Sequence, residues 1–561
     1  MERIIKSVTA AFFLSLVITV NTQTAYANEV NYVKVGVGAS SSSIGFKGDN
    51  INVFFLLDST FISAGSIGSG SNFTISADSY YYVPSGNFYN NYSSALAEAN
   101  QFSAQGYFSL PALSESGTWS VYYGPVSSKS DAQMMIQAGV GTAIIEPNGK
   151  RLILNNGSNR VALFENDQFT PYFSDTLNNT ITVNSNEYRG YLNAFRNGAS
   201  LTPVNTLNME EYLYSSVASE MPSSWHEEAL KSQAVASRCY AYSKLGAHSA
   251  NGYDLCSSDH CQIYLGLKQE KENATNAVKA TSGLVAYYGD ELINATFFSS
   301  SGGITDDSEN VWVNALPYLR AVSDSYDTSG KEWSRTFTLA EITNLASLNN
   351  YNIGSVTGVE ITKTSSGGRV QELTIKGTTG NKALTKEEIR TFFSKSTGGS
   401  LESRYFRIGQ FSVSIAAGTA SVNTSTAPVS ANSNLYVKSE NQSKLTNAET
   451  ISVINSTGNN ISVVYYDKVN IQTSAGQYVL PVSSGGGIAP ITSSTGGTAI
   501  VSGGLSSNGN SVTFSGRGWG HGIGLSQHGA KGMAEAGFTF EQIIKHYYTG
   551  VQISKVKRKV V

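Results

Sequence analysis

Residues 217–243 read VASEMPSSWHEEALKSQAVASRCYAYS, and the break in the middle of that stretch decides how the centre of the chain folds. Upstream, Met209, Tyr212, Leu213, Val217 and Met221 recur at helical spacing, and Pro222 disfavours helical backbone at the residue before it. A helix ending near residue 220 is therefore predicted, with Glu220 in its last turn. Downstream, Ser224 and Glu227 have the Ser-x-x-Glu spacing of a capping box, which predicts a second helix that stops near Gly246. Glu220 stands between the two. A carboxylate in a last turn faces the negative end of the helix dipole, and burial beside Met221 or Trp225 would disfavour its anion further. Both effects raise its pKa, and a glutamate protonated near neutrality is what general-acid chemistry needs. On spacing alone, a solvent-facing side chain or one paired with Lys231 or Arg238 is the simpler account. The neighbouring Glu210, Glu211, Glu227 and Glu228 read as surface or capping residues.

Around this centre lies a long chain. Its 561 residues exceed one ordinary core and allow about three to five domains. Residues 1–27 carry Arg3 and Lys6, then an apolar stretch, then Ala25-Tyr26-Ala27, which predicts a secretory signal peptide cut after Ala27. A retained anchor is the other reading, although the apolar core is short for a membrane span. Net charge is −3 with 14% charged residues, and no basic tract is large enough to hold a phosphate backbone, so nucleic acid is excluded as a partner. The short basic end KVKRKVV reads as a solvated tail. Thirty-one Tyr and 54 Gly, with abundant Ser, Thr and Asn, suit sugars and equally suit any exported β-rich protein.

Residues 28–77 alternate apolar and polar positions between Gly and Ser clusters, as short strands do. An approximate duplication follows over 78–140: YYYVPSGNFYNNYSSALAEANQF from Tyr80 and WSVYYGPVSSKSDAQMMIQAG from Trp119. Each half predicts a strand, a Gly-containing turn and a helix begun by Asn or Ser, together a βαββαβ module. From 145 to 205, Asn-Gly pairs predict hairpins. Residues 406–510 read as a Ser/Thr/Gly-rich β insertion, and dense signals return over 511–555. The predicted fold class is α+β and multidomain.

Two further stretches carry candidate site residues. In GWGHGIGLSQHGAKG (518–532), glycines at 518, 520, 522 and 524 allow turns closed to other residues around Trp519, His521, Ser526, Gln527 and His528. The histidines lack the spacing of a compact metal motif. They read as groups that line a groove or position Glu220, and a buried structural histidine is the standing alternative. SSSGG (299–303) offers another wall through Ser300, Ser301, Gly302 and Gly303, with Asn310 and Trp312 fixing its loop. In DLCSSDHCQIYLG (254–266), Cys256, His260 and Cys261 lie close enough to hold zinc, with a Cys256–Cys261 disulfide or reduced thiols as alternatives. Cys239, mid-helix, reads as packing. A nucleophilic thiol has no activating pair to support it.

LNMEEYLYSSVASEMPSSWHEEALKSQAVASRCYAYS (207–243), FFSSSGGITDDSENVWVNALPYLRAV (297–322) and GRGWGHGIGLSQHGAKGMAEAGFTFEQIIKHYYTGVQI (516–553) resemble the three signature blocks of the SpoIID/LytB family. That family includes sporulation lytic transglycosylases and amidase enhancers. The resemblance implies a mixed α/β catalytic domain with a cleft, made of 145–405 and 511–555. It places the catalytic glutamate at Glu220 and implies a structural zinc held by Cys256 and His260, with Cys261 or Asp259 less defined. It implies an exported, cell-wall enzyme that cuts the MurNAc–GlcNAc bonds of peptide-stripped peptidoglycan glycan strands to 1,6-anhydro-MurNAc ends. It equally implies a non-catalytic partner of an N-acetylmuramoyl-L-alanine amidase. The duplicated segment over 78–140 resembles SPOR modules, which implies binding to the same stripped strands. A glycan-binding wall protein is a third reading, suggested by the Ser/Thr/Asn-rich stretch.

Overall fold

The computed structural model describes residues 32–557 except 58, 115–116, 167–169 and 330, and within 409–510 it describes short strand pieces only. The predicted signal peptide and most of the predicted insertion therefore lie outside the described residues. The chain divides into two compact units, one of residues 1–209 with 250–253 and one of 210–249 with 254–561.

The first unit is built on one large, mainly antiparallel sheet. Ser43–Leu57 and Thr60–Ala77 form a single long hairpin in which Ile44 faces Ile75 and Phe46 faces Phe73. Short strands broken at glycines were the expectation for this stretch. The glycines instead lie inside the strands, and the register shifts between Phe46 and Gly48 and between Gly48 and Ile51 absorb them as irregularities. The hairpin is extended on one side by Leu152–Asn156 and Asn159–Phe164, and on the other by Thr180–Val183 and Tyr172–Asp175. The Asn-Gly turns fall where expected: Gly157, at φ +61°, joins Leu152–Asn156 to Asn159–Phe164, and Gly198, at φ +62°, joins Tyr191–Asn197 to Ser200–Asn208.

The duplicated segment forms Tyr81–Tyr89, a helix Tyr92–Ala104, Ser109–Leu113, Trp119–Val126 and a helix Lys129–Gln137, and Ile145 then bridges back to Tyr82. Asn91 and Ser128 cap the two helices, each side chain accepting from a backbone N–H three residues on. Ser109–Leu113 also pairs in parallel with Asn159–Phe164, so the sheet runs on without a break into residues 152–208. Residues 145–208, expected to begin the catalytic domain, accordingly belong to the first unit. Periodicity finds strands; it does not say which sheet they join.

The second unit centres on the helix Glu227–Ser243, whose Ala229, Ala234, Ala236 and Ala241 are buried. Small residues on that helix let neighbouring elements approach closely. One core cluster joins Met221, Leu230, Val235 and Ile293 to Ile523, Leu525, Ile543 and Tyr547, so the C-terminal block completes a core begun 300 residues earlier. Backbone pairing repeats the link: Leu284–Tyr288 pairs with Gln552–Lys555, and Phe297–Phe298 pairs in parallel with Leu525–Ser526. A second core lies around Phe337, Leu373, Phe393 and Phe514, where Ser511–Arg517 runs between Glu332–Thr338 and Phe406–Ile408.

Candidate functional site around Glu220

The helix Met209–Glu220 ends at Glu220, as the Met-Pro break predicts. The next helix begins at Glu227 with His226 as its cap, its Nδ1 accepting from the Glu228 N–H. The Ser224–Glu227 capping box does not form. Pro222 starts a turn in which the Trp225 N–H donates to its carbonyl, and this delays the helix by two residues. Glu228 turns away to Lys231 (3.0 Å) and to the Phe540 N–H (2.6 Å).

Glu220 is partly buried, and its Oε1 accepts the Ile263 N–H at 3.0 Å. The cations that could have neutralised it are engaged elsewhere. Lys231 pairs with Glu227 at 2.6 Å, and Arg238 pairs with Glu210 at 2.6 Å. Glu210, expected at the surface or as a cap, is thus the counterion of a fully buried arginine. Burial pushes the Glu220 pKa up, the Ile263 N–H pulls against it, and the charge of Asp259 adds to the rise.

Gln527 reaches the same turn, its Nε2 donating to the Glu220 carbonyl at 2.9 Å and lying 3.3 Å from the Gln233 side-chain oxygen. Ser526 is buried and caps the helix Gln527–Glu535 through the Gly529 N–H. His528 follows, half-buried, its ring 4.9 Å from that of Trp225. His521 is placed differently. Its ring packs against Phe298 and Trp312, one nitrogen lies 3.1 Å from the Phe297 carbonyl, and Nδ1 accepts from Ile523. Desolvation takes its pKa down to about 4, and these contacts favour the structural-histidine alternative for this residue.

The Ser-Ser-Gly wall also turns inward. Ser300 and Ser301 are buried and donate to Asp327 at 2.7 and 3.2 Å, and the Gly302 N–H adds a third bond at 3.0 Å. Burial alone would raise the Asp327 pKa, but Ser300, the Gly302 N–H and Ser329 bring it below the ordinary value. Gly303 carries the turn at φ +116°. Neither serine lines an open groove, because Asp327 closes their loop from 26 residues downstream. Asn310 donates to Asp306 at 2.7 Å and holds the following loop. Trp519 stays 51% exposed while its backbone exchanges both hydrogen bonds with Ser300.

The metal-ligand group is larger than spacing revealed. His248, Cys256, His260 and Cys261 bring one ligand atom each within 4.8 Å of one another. His248 Nε2 lies 3.3 Å from the Cys261 sulfur, and His260 Nδ1 lies 3.6 Å from both sulfurs. Two thiols and two imidazoles converging on one point form the donor set of a closed tetrahedral zinc site, so the residues fit that ion. All three cysteines are free thiols. Burial opposes ionisation of Cys256, but its hydrogen bonds with Ser258, Cys261 and His260 lower its pKa to about 7, toward the thiolate a metal requires. Asp259 is exposed and stands outside the group. Cys239 is buried packing, as expected, its pKa pushed up to about 12.

Residues 197–288 match the family model described as SpoIID, stage II sporulation protein. Over those residues the chain is similar to the SpoIID family. A second model, a domain of unknown function (DUF8618), covers residues 323–418. The amidase enhancer of Bacillus subtilis is 27% identical over 361 residues, 60% of this chain and 39% of that protein. Stage II sporulation protein D of Bacillus amyloliquefaciens is 25% identical over 369 residues, 63% of this chain and 76% of the relative. Among the described residues no helix is long and apolar enough to cross a membrane.

Proposed function

We propose that this chain is an exported, cell-wall lytic transglycosylase acting on peptide-stripped peptidoglycan strands, with Glu220 as its single acid and base. The observation that carries the reading is the Glu220 carboxylate. It ends a helix, is partly buried, is held by one backbone N–H, and has a raised pKa, while Lys231 and Arg238, the partners that spacing suggested, are tied to other carboxylates. A hydrolase needs a second carboxylate to deliver water or form a covalent intermediate. Formation of an anhydro ring does not. Glu220 would give its proton to the glycosidic oxygen as the C1–O bond breaks. The muramic C6 hydroxyl would then attack C1 and return its proton to Glu220, so the ring closes with no water consumed. Gln527 would hold the Glu220 backbone through the cycle, and Trp225 and Trp519 offer flat rings for sugar faces.

We propose that His248, Cys256, His260 and Cys261 hold a structural zinc. When bound, that ion would cross-link the 248–261 loop without touching the reaction. Ile263, two residues beyond Cys261, would then present its N–H to Glu220 from a fixed backbone. The SPOR-like segment is proposed to tether the same strands and so raise their local concentration.

The test is mass spectrometry of products released from amidase-stripped glycan strands by the mature protein and by Glu220→Gln. Anhydro-muramyl ends from the wild type alone support the enzyme. The match to a protein named amidase enhancer favours one other reading, a non-catalytic helper of an amidase. Glycan binding with no product, together with faster turnover by an added amidase, would establish that reading instead.

A further inference from the structure

Two lysines lie beside the segment whose Gln527 holds the Glu220 turn, and neither has a role in the reading above. Lys331 is half-buried, and among the described residues its ammonium meets no carboxylate: it donates to the Ser299 hydroxyl at 2.9 Å and lies 5.7 Å from the centre of the exposed Trp519 ring. An ammonium partly withdrawn from water with only a neutral acceptor is under-compensated. Ser299 also accepts the His528 N–H through its carbonyl at 3.0 Å, which ties Lys331 to the segment whose Gln527 holds Glu220. Lys531, one turn beyond His528, lies 5.6 Å from the centre of the Trp225 ring. Among the described residues its ion pair is with Glu535 at 3.4 Å, a partly exposed i,i+4 contact of the kind that exchanges partners at little cost. Lys331 reaches His528 through Ser299, and Lys531 reaches it through the Trp225 ring that packs on the imidazole, so both lie around that histidine. Two tryptophans and two available ammoniums around one histidine suit a sugar that carries an acid.

We propose that Lys331 and Lys531 form a carboxylate-reading pair beside Glu220, and that their ligand is the free lactyl carboxylate of muramic acid. The inference rests on the glycan reading above and deepens it. An amidase that removes a stem peptide converts a lactyl amide into an anion, so a pair of cations here distinguishes stripped from unstripped sugars by charge. A neutral amide at that position gains nothing from either ammonium and brings the bulk of its peptide.

The test is equilibrium binding by the full mature chain in a Glu220→Gln background, with a GlcNAc–MurNAc tetrasaccharide whose lactyl groups are either free acids or methylamides. The acid should bind about tenfold more tightly, the usual worth of one charge-assisted hydrogen bond at a partly exposed site. Adding Lys331→Gln or Lys531→Gln should weaken acid binding and bring the acid-to-amide ratio toward one, while Lys331→Arg keeps the preference. An unchanged ratio in both glutamine variants, or equal binding of acid and amide by the parent, overturns the pair. So does no binding of either sugar. Thermal unfolding of each variant separates lost recognition from lost folding, and Lys531, which is outside the core, provides the variant that leaves the core intact. Product release by the wild type is measured separately: selective binding of the acid without anhydro products keeps the pair and sinks the transglycosylase.

Discussion

Replacing Arg238 by methionine should unfasten the helix that carries Glu220. Arg238 is fully buried, and its guanidinium makes two bonds to Glu210, at 2.8 and 2.6 Å, and one to the Leu284 carbonyl at 3.0 Å. Glu210 opens the helix that Glu220 closes, so the pair pins the start of that helix to the centre of the second unit. Removing one member of a buried pair typically costs about 3–5 kcal/mol, because the other charge is left without a partner. Glu210 remains 21% exposed and keeps the Gly283 N–H, so the lower end applies, about 3 kcal/mol. Methionine retains much of the apolar packing of the arginine stem, which leaves the lost charge as the main effect. Against a domain stability of about 5–15 kcal/mol this is a large fraction. Amide exchange in peptides covering 209–243 isolates the second unit from the first, and exchange there should quicken correspondingly. Adding Glu210→Leu should recover part of the loss, since the second change removes the stranded charge. A loss below about 1 kcal/mol for Arg238→Met, or a double variant equal to the sum of the single ones, refutes the reasoning.

The Glu220 pKa is raised in the folded chain, so the native state holds that proton more tightly than the unfolded one; the stability it contributes is present at low pH and lost as pH rises through the folded value. Glu220→Gln should therefore be more stable than wild type in urea at pH 7.5, with the gap closing toward pH 4, and a pH-independent gap would sink the idea. Metal analysis of the purified mature protein should find one zinc per chain, and His248→Ala should lower that occupancy and speed exchange over 255–263; metal-free protein of unchanged stability would be the contrary result. Gly524→Ala places a Cβ against the Thr296 carbonyl at φ +79°, while Gly246→Ala has the same φ and open space. The second should cost about 1–2 kcal/mol, the penalty for left-handed backbone, and the first distinctly more; equal melting temperatures would show that the Gly524 turn can relax.

Local signals read well where one residue type forces the backbone. Met-Pro ended a helix at Glu220, Asn-Gly made two hairpins, and Asn91 and Ser128 capped the helices they precede. Signals failed where a distant partner decides the outcome. Ser300 and Ser301 looked like a wall facing substrate, yet Asp327 turns them inward. His248 was overlooked because the seven residues between it and Cys256 show no ligand spacing, and only the folded loop brings it to Cys261. Glu210 looked superficial because nothing in its surroundings names Arg238 as its partner. Lys331 lies in no motif at all. The glycines of 43–77 looked like breaks because pairing, not composition, decides whether a strand continues through them.

Phe406–Ile408 and Ser511–Arg517 are antiparallel neighbours, with Ile408 opposite Phe514. To the unit that contains them, everything from 409 to 510 is one hairpin connection between adjacent strands. Its length can change without altering which residues face each other, so this is the place where the gene can gain or lose sequence at least expense. It is also a natural point of scission. Two polypeptides divided there would each hold half of the Glu220 surroundings, one the carboxylate and the other Gln527, and activity would report their reunion.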